Sequence, residues 1–363
     1  MAAPPKNPAW SVAAPVLGLV VLAATWNREL PVIAAALVGL VLAGAVMTAV
    51  HHAEMVAAKV GEPFGTLILA VAVTVIEVAL ILTLMLTTPD EAATLARDTA
   101  FAAVMIILTG VIGACLLAGT IKHHAQDFKA DGASGAISGI TVLVTLTLVL
   151  PAFTTSTNGA TYTTAQLLVM SAIALTIYGV FVLVQTSRHR DYFLPDEAEG
   201  DAEAAAAHPE PSTTTARNSL LLLIACLVAV VGLSKTLSPN LKDVVSSLGA
   251  PASTVGVLIA VLVLAPETVA AMRAAAANRL QTSMNLAVGS GMASIGLTIP
   301  TIAVASLFLD VPLELGLGAP QIVLLTLAVF ISGATVLLGR VTVLQGTVHL
   351  SVFAAFLFLA FVP

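Results

Sequence analysis

Two glutamates lie inside apolar segments that are long enough to cross a membrane. Glu77 lies within the run from Gly61 to Leu86, GEPFGTLILAVAVTVIEVALILTLML. A shift of 190 residues places LILAVAVTVIEVAL over VLIAVLVLAPETVA, with Glu77 on Glu267. Inserting one carboxylate at the centre of a bilayer costs at least about 2.5 kcal/mol. The pair therefore predicts a site that binds a cation, protons or both.

Residues near the two glutamates offer further oxygen ligands. Thr74 precedes Glu77 by about one helical turn, and Pro266 can free a backbone carbonyl of its own helix. The expected hydroxyl ligands from neighbouring apolar runs are Thr109, Ser290 and Ser294. Small residues also let helices approach closely, so packing alone is an equal explanation for the run NLAVGSGMASIGLTIP.

This set of ligands favours a hard cation. Ca²⁺ takes about 6 to 8 oxygen ligands in flexible geometry, whereas transition metals prefer imidazole and thiolate. Two carboxylates neutralise a divalent ion, and after its release burial and mutual repulsion favour protonation of both groups. The same site then binds either the cation or protons, which is the physical basis of cation/proton antiport. We therefore predict Glu77 and Glu267 as the metal ligands.

Other titratable residues could form a proton or cation relay. The stretch HHAE places His51, His52 and Glu54 just before the run that carries Glu77, and Glu62 follows. Histidine titrates near neutral pH, so this cluster could serve as an antechamber. The alternative is an interfacial polar cluster without a transport role. His349, inside the last apolar run, is a candidate for proton sensing or transfer.

The elements that position these residues are membrane helices. Of the 363 residues, 58% are hydrophobic and only 9% are charged, whereas soluble proteins carry about 25% charged residues. Eleven apolar windows of about 20 residues, the length of a membrane helix, are centred on Gly18, Leu40, Thr74, Thr109, Leu143, Leu175, Val228, Val261, Leu297, Ala328 and Val352. The fold class predicted is all-α and integral to the membrane, with about eleven transmembrane helices.

The matched glutamates divide the chain into two repeats. We expect an N-terminal transmembrane helix over 1–30, five-helix repeats over 31–187 and 217–363, and an acidic linker over 188–216 between them. Repeats of five spans are necessarily inverted relative to each other. Inverted repeats with polar residues near the midplane are a recurring design of secondary transporters that work by alternating access.

The basic residues predict the orientation. With the N-terminus inside, ten of the 14 Lys and Arg residues fall in inside loops and four in outside loops. Lys and Arg concentrate in cytoplasmic loops, so we expect a cytoplasmic N-terminus, an outer C-terminus and a location in the plasma membrane. The linker, with its flanking arginines, holds seven acids against three arginines. It is either a solvated connection or a segment that attracts cations.

Other functional classes fit less well. Cys115 and Cys226 lie in apolar runs without a metal-type cluster, and the chain has no nucleotide-binding GxxxxGK[ST] motif. A protease using Ser290 and His349 would leave both glutamates unexplained. A permease for organic cations would be expected to have aromatic residues at the site. We expect no enzyme activity, no cofactor and no nucleic-acid partner; the expected partners are inorganic cations and the lipid bilayer.

Three stretches resemble a known family. These are HHAEMVAAKVGEPFGTLILAVAVTVIEVAL, APETVAAMRAAAANRLQTSMNLAVGSGMASIGLTIP and the ending GRVTVLQGTVHLSVFAAFLFLAFVP. They are similar to bacterial calcium/proton antiporters of the ChaA type, in the cation/proton exchanger branch of the calcium/cation antiporter superfamily. The resemblance implies ten core helices in two inverted repeats, an extra first helix and an acidic central loop. It also implies that Glu77 and Glu267 bind Ca²⁺ and protons alternately.

The sequence departs from this family at one pair of positions. The superfamily often has an Asn three residues before each glutamate, and here those positions hold Thr74 and Leu264. The loss of two amide oxygens bears on cation selectivity. Exchange of Na⁺ or K⁺ for protons therefore stays open as an alternative within the same fold.

Overall fold

The computed structural model is a bundle of helices and describes residues 7–61, 64–88, 92–193, 211–309 and 311–362. Its eleven long helices are α1 (Ala9–Thr25), α2 (Val32–Val60), α3 (Phe64–Thr87), α4 (Ala92–His123), α5 (Ala130–Phe153), α6 (Thr164–Arg188), α7 (Thr213–Ser247), α8 (Ser253–Ala276), α9 (Leu280–Leu309), α10 (Ala319–Leu337) and α11 (Val343–Phe361). Ten of these described helices, α2 to α11, are long and apolar enough to cross a membrane. The all-α membrane fold predicted from the sequence is confirmed, and α1, with 17 residues, lies at the lower length limit for a span of about 17 residues.

Three of the spans contain a π-helical segment in their interior. The segment in α9, Ser294–Thr298, and the one in α5, Thr145–Val149, each end two residues before a proline, Pro300 and Pro151. Proline has no N–H group to donate to the carbonyl four residues earlier, so the regular helical ladder is interrupted there. The third segment, Ile106–Val111 of α4, has no proline after it in the same helix.

The apolar side chains form two buried clusters. One cluster joins α4, α5, α6 and α8 to α11, and the other joins α1, α2, α3 and α7 with the first turns of α4 and α8. Helix α4 lies at the centre of the bundle, and 89% of the residues in its most apolar stretch are buried. Both candidate glutamate helices, α3 and α8, contact α4.

Helix α8 is fastened to α4 near both of its ends. At one end Gly256 lies so close to α4 that an added Cβ would be 2.8 Å from the backbone carbonyl carbon of Asp98. At the other end the Nζ of Lys122 donates to the carbonyl of Ala276 at 2.9 Å, and His123 Nε2 lies 3.2 Å from the same oxygen. Cationic groups are favourable at the negative end of a helix dipole. These contacts fix the helix that carries Glu267 in its position along α4.

Two short strands join the ends of two loops. Strand β1 (Gln126–Asp127) pairs antiparallel with β2 (Arg340–Val341). β1 lies between α4 and α5, and β2 lies between α10 and α11. The pair therefore links the predicted first repeat to the predicted second repeat at the side predicted to be cytoplasmic.

Most of the predicted acidic linker, residues 194–210, lies outside the described residues. On its described flanks, Arg190–Tyr192 forms a single 3₁₀ turn. Helix α7 begins at Thr213, where the hydroxyl of Ser212 accepts a hydrogen bond from the Thr215 N–H at 3.1 Å. The helix thus starts four residues earlier than the predicted repeat boundary at 217.

Both cysteines are buried and free. Cys115 in α4 and Cys226 in α7 are each 0% exposed. They pack as small apolar side chains, as the sequence predicts.

Candidate functional site

Glu77 lies in the interior of the bundle, where two hydroxyl groups hold its carboxylate. The Ser294 hydroxyl lies 3.2 Å from Oε1 and 3.0 Å from Oε2, and the Thr298 hydroxyl donates to Oε2 at 2.7 Å. The whole residue is only 3% exposed. Hydrogen bonds to a charged group are shorter and stronger than those between neutral groups. The surroundings of Glu77 are therefore arranged for an oxygen that carries negative charge.

The two hydroxyl donors come from the π-helical segment of α9. Ser294 and Thr298 are its first and last residues, and both face α3. Pro300 follows two residues later and interrupts the helical ladder at this point. This segment therefore places two hydroxyls against the same carboxylate and supplies one side of the site. Such π-helical bulges are frequent at functional sites.

Glu267 has different surroundings from Glu77. Its Oε2 is buried and has no hydrogen-bond partner among the described residues. The neighbouring Thr268 hydroxyl donates to the carbonyl of Leu264 at 2.7 Å and not to the glutamate. A buried carboxylate oxygen without a partner carries a large desolvation penalty. This oxygen is therefore placed to receive a proton or a cation.

The two glutamates are close enough for their charges to interact. Glu267 interacts electrostatically with Glu77 and also with Glu54 of α2. Glu54 is exposed, while the free oxygen of Glu267 is buried. The charge of an exposed carboxylate therefore acts on the buried carboxylate at the site.

The other predicted hydroxyl ligands make no hydrogen bond to Glu77 or Glu267 in the described part of the chain. Thr74 is buried on α3, one turn before Glu77. The Thr109 hydroxyl donates to the carbonyl of Met105 in its own helix at 2.5 Å. Ser290 is partly buried and makes no hydrogen bond to the described glutamates Glu77 and Glu267. Of the predicted hydroxyls, only Ser294 contacts a glutamate in the described part of the chain.

The histidine pair of the predicted antechamber packs against α1. His52 Nε2 lies 2.8 Å from the carbonyl oxygen of Ser11, and the His51 ring lies 5.0 Å from that of Trp10. Within the described residues, His51 Nε2 and His52 Nδ1 are buried without a partner. The contacts of the two rings thus connect α2 to α1. Glu62 lies outside the described residues.

His349 of α11 is fully buried against α4 and α10. Its Nδ1 lies 2.6 Å from the carbonyl oxygen of Leu108, and its Nε2 lies 3.0 Å from the Thr335 hydroxyl. Both ring nitrogens therefore have partners in the protein.

Thr298 donates a hydrogen bond to Glu77, and the sequence did not lead us to predict this contact. It lies four residues after Ser294 in SIGLTIP, a spacing that places two side chains on neighbouring turns of a helix. Its position two residues before Pro300 was a further signal.

The described residues contain no group of three or more His, Cys, Asp and Glu side chains that could hold a metal ion. A cation at this site would be bound by two carboxylates, by hydroxyls and by backbone carbonyls. These are the ligands of hard cations.

The sequence pattern of the sodium/calcium exchanger protein family matches residues 30–187 and 218–362. The chain belongs to this family. It is therefore a multi-pass membrane protein of a cation exchanger family, and the resemblance seen in the sequence is confirmed.

Two individual relatives extend this comparison. The chain is 45% identical over 359 residues to y4hA of Sinorhizobium fredii, a protein inferred to be an ionic transporter, and the match covers 98% of this chain and 97% of that protein. It is 34% identical over 353 residues to the sodium-potassium/proton antiporter ChaA of Escherichia coli, covering 96% and 94% of the two chains.

A solved structure shows the same fold. The crystal structure of the H⁺/Ca²⁺ exchanger CAX superposes with a TM-score of 0.71 over 96% of this chain and 86% of that chain, at 16% identity. A likeness at this level of identity concerns the arrangement of the helices and leaves the transported ion open.

Proposed function

We propose that the protein is a secondary active antiporter that exports Ca²⁺ in exchange for protons. The observation that carries this proposal is the buried Oε2 of Glu267, which has no hydrogen-bond partner among the described residues and lies within electrostatic range of the Glu77 carboxylate. Two buried carboxylates so arranged are poorly compensated unless a cation or protons bind between them. A divalent cation neutralises both, and two protons do the same.

The two glutamates have different tasks in this mechanism. Ser294 and Thr298 hold the Glu77 carboxylate in one orientation, so that it is a fixed ligand. Glu267 supplies an oxygen that no described residue hydrogen bonds, which keeps it available for exchange. Loading of the site by protons displaces the cation because both compete for the same carboxylate oxygens. No nucleotide is needed to drive the cycle, since the proton gradient supplies the free energy.

The route to the site is proposed to begin at Glu54. This residue is exposed, interacts with the charge of Glu267 and lies on the side predicted to be cytoplasmic. A negative charge at an entrance raises the local concentration of cations and protons. With the N-terminus in the cytoplasm, Ca²⁺ would enter here from the cell and leave towards the outside of the plasma membrane.

Alternating access would come from movement of the two repeats, 31–187 and 217–363, relative to each other. The segment 1–30 is proposed as an additional helix outside the repeats. The linker 188–216 is proposed as a cytoplasmic connection between them.

A second candidate is exchange of Na⁺ or K⁺ for protons at the same site. Two observations favour it. Leu264, one turn before Glu267, is buried and apolar where the resemblance leads one to expect an amide oxygen. The relative ChaA, at 34% identity, is named as a sodium-potassium/proton antiporter. A monovalent ion neutralises only one carboxylate, so Glu267 would keep a proton while Glu77 binds the ion.

The test is transport by purified protein in liposomes with an imposed pH gradient. We expect the gradient to drive ⁴⁵Ca²⁺ movement in the wild type. Glu77→Gln and Glu267→Gln should each lower the rate by at least about 100-fold, because leaving a buried charge without its partner costs about 3 kcal/mol. The matched control is Asp127→Asn, which alters an acid whose side chain is 74% exposed and 3.7 Å from Arg340.

Each outcome separates the two candidates. If Ca²⁺ does not move but added Na⁺ or K⁺ collapses the pH gradient in a glutamate-dependent way, the ion is monovalent. If neither ion moves in protein that elutes as a single species and keeps its helical circular dichroism, the antiport proposal is wrong.

A further inference from the structure

A following proline explains the π-helical segments of α5 and α9, but no such proline explains the segment of α4. Residues Ile106–Val111 are followed by no proline within the helix. Yet the ladder is shifted here, because the Ile112 N–H donates to the carbonyl of Ile107, five residues earlier. In a regular α-helix this N–H group would donate to Leu108. The carbonyl of Leu108 therefore loses its usual donor.

Two side chains from other helices supply donors to Leu108 instead. His349 Nδ1 of α11 lies 2.6 Å from this carbonyl oxygen, and the Ser332 hydroxyl of α10 donates to it at 3.4 Å. His349 and Ser332 are 0% and 1% exposed. A buried carbonyl that is left without a donor destabilises the structure. The two contacts therefore stabilise the shifted ladder relative to a regular helix.

The hydrogen bonds of His349 also define which nitrogen carries the proton. A carbonyl oxygen can only accept, so Nδ1 must donate to Leu108. Nε2 can then accept from the Thr335 hydroxyl at 3.0 Å. The neutral ring thus satisfies both of its nitrogens, and this arrangement needs no change of protonation.

Close contact between α11 and α4 brings the ring into reach. An added Cβ on Gly346 would lie 2.8 Å from the Leu117 backbone nitrogen and 3.1 Å from the Gly113 oxygen. One on Gly113 would lie 2.9 Å from the Cβ of His349. Glycine at both positions lets the two backbones approach closely enough for His349 to bridge them.

The shifted segment lies against the helix that carries Glu267. Residues Ile106–Val111 contact α8 and also α9. If the ladder returned to regular α geometry, the part of α4 beyond Leu108 would rotate by about 100°, the angle of one residue. Gly113 and Gly346 would then no longer face each other, and the surface that α4 presents to α8 would change.

We propose that His349 is a positioning residue for cation exchange. It keeps α4 in π geometry by donating from Nδ1 to the Leu108 carbonyl, and so maintains the packing of α4 against the Glu267 helix. It does not carry transported protons. This inference rests on the proposed antiport for its role in transport, but the structural contact can be tested by itself.

Three substitutions separate positioning from proton relay. Asn places its amide nitrogen near the position of histidine Nδ1 and can still donate to Leu108, whereas Gln places it near Nε2 and Leu has no donor. We expect His349→Asn to keep transport within about threefold of wild type and with an unchanged pH profile, and His349→Gln and His349→Leu to lose about tenfold or more, the effect of about 1.4 kcal/mol. The matched control is Ser351→Ala, since this exposed hydroxyl of α11 donates only to its own helix at Thr347.

A second measurement is independent of transport. Hydrogen–deuterium exchange of the peptide covering residues 106–113 should be faster in His349→Leu and His349→Gln than in wild type, His349→Asn and Ser351→Ala. If His349→Asn loses transport as completely as His349→Leu, or if exchange of this peptide is equal in all variants, the positioning role is wrong. If the wild type moves no cation but the exchange pattern follows the prediction, the antiport proposal fails while the contact stands.

Discussion

The surroundings of Glu77 and Glu267 differ although the two residues occupy matched positions of the two predicted repeats. Glu77 accepts hydrogen bonds from two hydroxyls of α9. Glu267 has a buried oxygen without a hydrogen-bond partner among the described residues. The comparison teaches that the two carboxylates are not interchangeable, because one is already held in place by the protein and the other is left free for a ligand.

The same contrast appears in the π-helical segments that face the two glutamate helices. The segments begin at Ile106 in α4 and Ser294 in α9, 188 residues apart. The segment in α9 directs Ser294 and Thr298 towards Glu77. In the segment in α4 the Thr109 hydroxyl donates to its own helix, and the free carbonyl is bound by His349. The segment in α9 therefore provides hydrogen-bond donors to a glutamate, and the segment in α4 provides a packing contact between helices.

The strongest way to break the comparison is to shorten each glutamate by one methylene. Glu77→Asp withdraws the carboxylate from Ser294 and Thr298 and loses charged hydrogen bonds worth about 1.5 to 3 kcal/mol each, so kcat/KM for the cation should fall by at least about 100-fold. Glu267→Asp loses no hydrogen bond from a hydroxyl group of the described residues, so we expect a fall of only about 10-fold. Initial rates of cation flux over a range of cation concentrations measure both. Equal losses would show that the two carboxylates are equivalent in the working protein.

The next test removes one of the two hydroxyl groups that donate hydrogen bonds to the Glu77 carboxylate. Thr298→Val keeps the shape of the side chain but loses the 2.7 Å hydrogen bond, and we expect transport to fall by about 10-fold. Thr298→Ser is the control, since it keeps the hydroxyl and should stay within about twofold of wild type. The same liposome assay applies. A Val variant as active as the Ser variant would mean that Thr298 does not support the carboxylate during transport.

The corresponding change in α4 should have a smaller effect. Thr109 donates to the carbonyl of Met105 and not to Glu267. Thr109→Val removes only this local hydrogen bond, so we expect a fall in flux of about threefold or less. When Thr109→Val and Thr298→Val are measured in the same assay, the ratio of their fluxes reports the difference between the two π-helical segments. A loss equal to that of Thr298→Val would indicate that Thr109 contacts Glu267 in another state of the cycle.

The smallest effect is expected at Gly289, in the run of small residues that precedes Ser294. An added Cβ at Gly289 meets no atom within 4 Å, whereas one at Gly291 lies 3.0 Å from Ile140. Gly289→Ala should therefore leave flux unchanged and raise thermal stability slightly, because alanine favours a helix by about 0.8 to 1 kcal/mol over glycine. Gly291→Ala should lower the unfolding temperature of the same preparation. A reduced flux in Gly289→Ala would show that this helix moves against a neighbour during transport.

The sequence was sufficient to predict the spans, and it indicated the pair of glutamates, whose role in binding stays a prediction. Long apolar runs leave few alternatives to membrane helices, and a lone carboxylate in such a run is costly enough to be noticed. Ser294 was found because it lies in a conspicuous run of small and hydroxyl residues.

Partners across helices could not be predicted from the sequence. Matching Glu77 with Glu267 implies equal surroundings, but which hydroxyls reach each carboxylate depends on how α9 and α4 are rotated. No proline follows the π-helical segment of α4 within that helix, so the sequence does not predict the segment. The contacts of His349 join residues 241 positions apart. Such long-range contacts are set by packing, which local patterns do not report.

The burial of Cys115 and Cys226 has a practical consequence. The chain has no other cysteine, and both thiols are 0% exposed, so a thiol-reactive probe should find few native targets on the folded protein. New cysteines could be introduced at exposed positions such as Phe64 in α3 and Leu344 in α11, which are 64% and 67% exposed. Spin labels attached there would report the distance between the two halves of the bundle as the pH gradient is reversed.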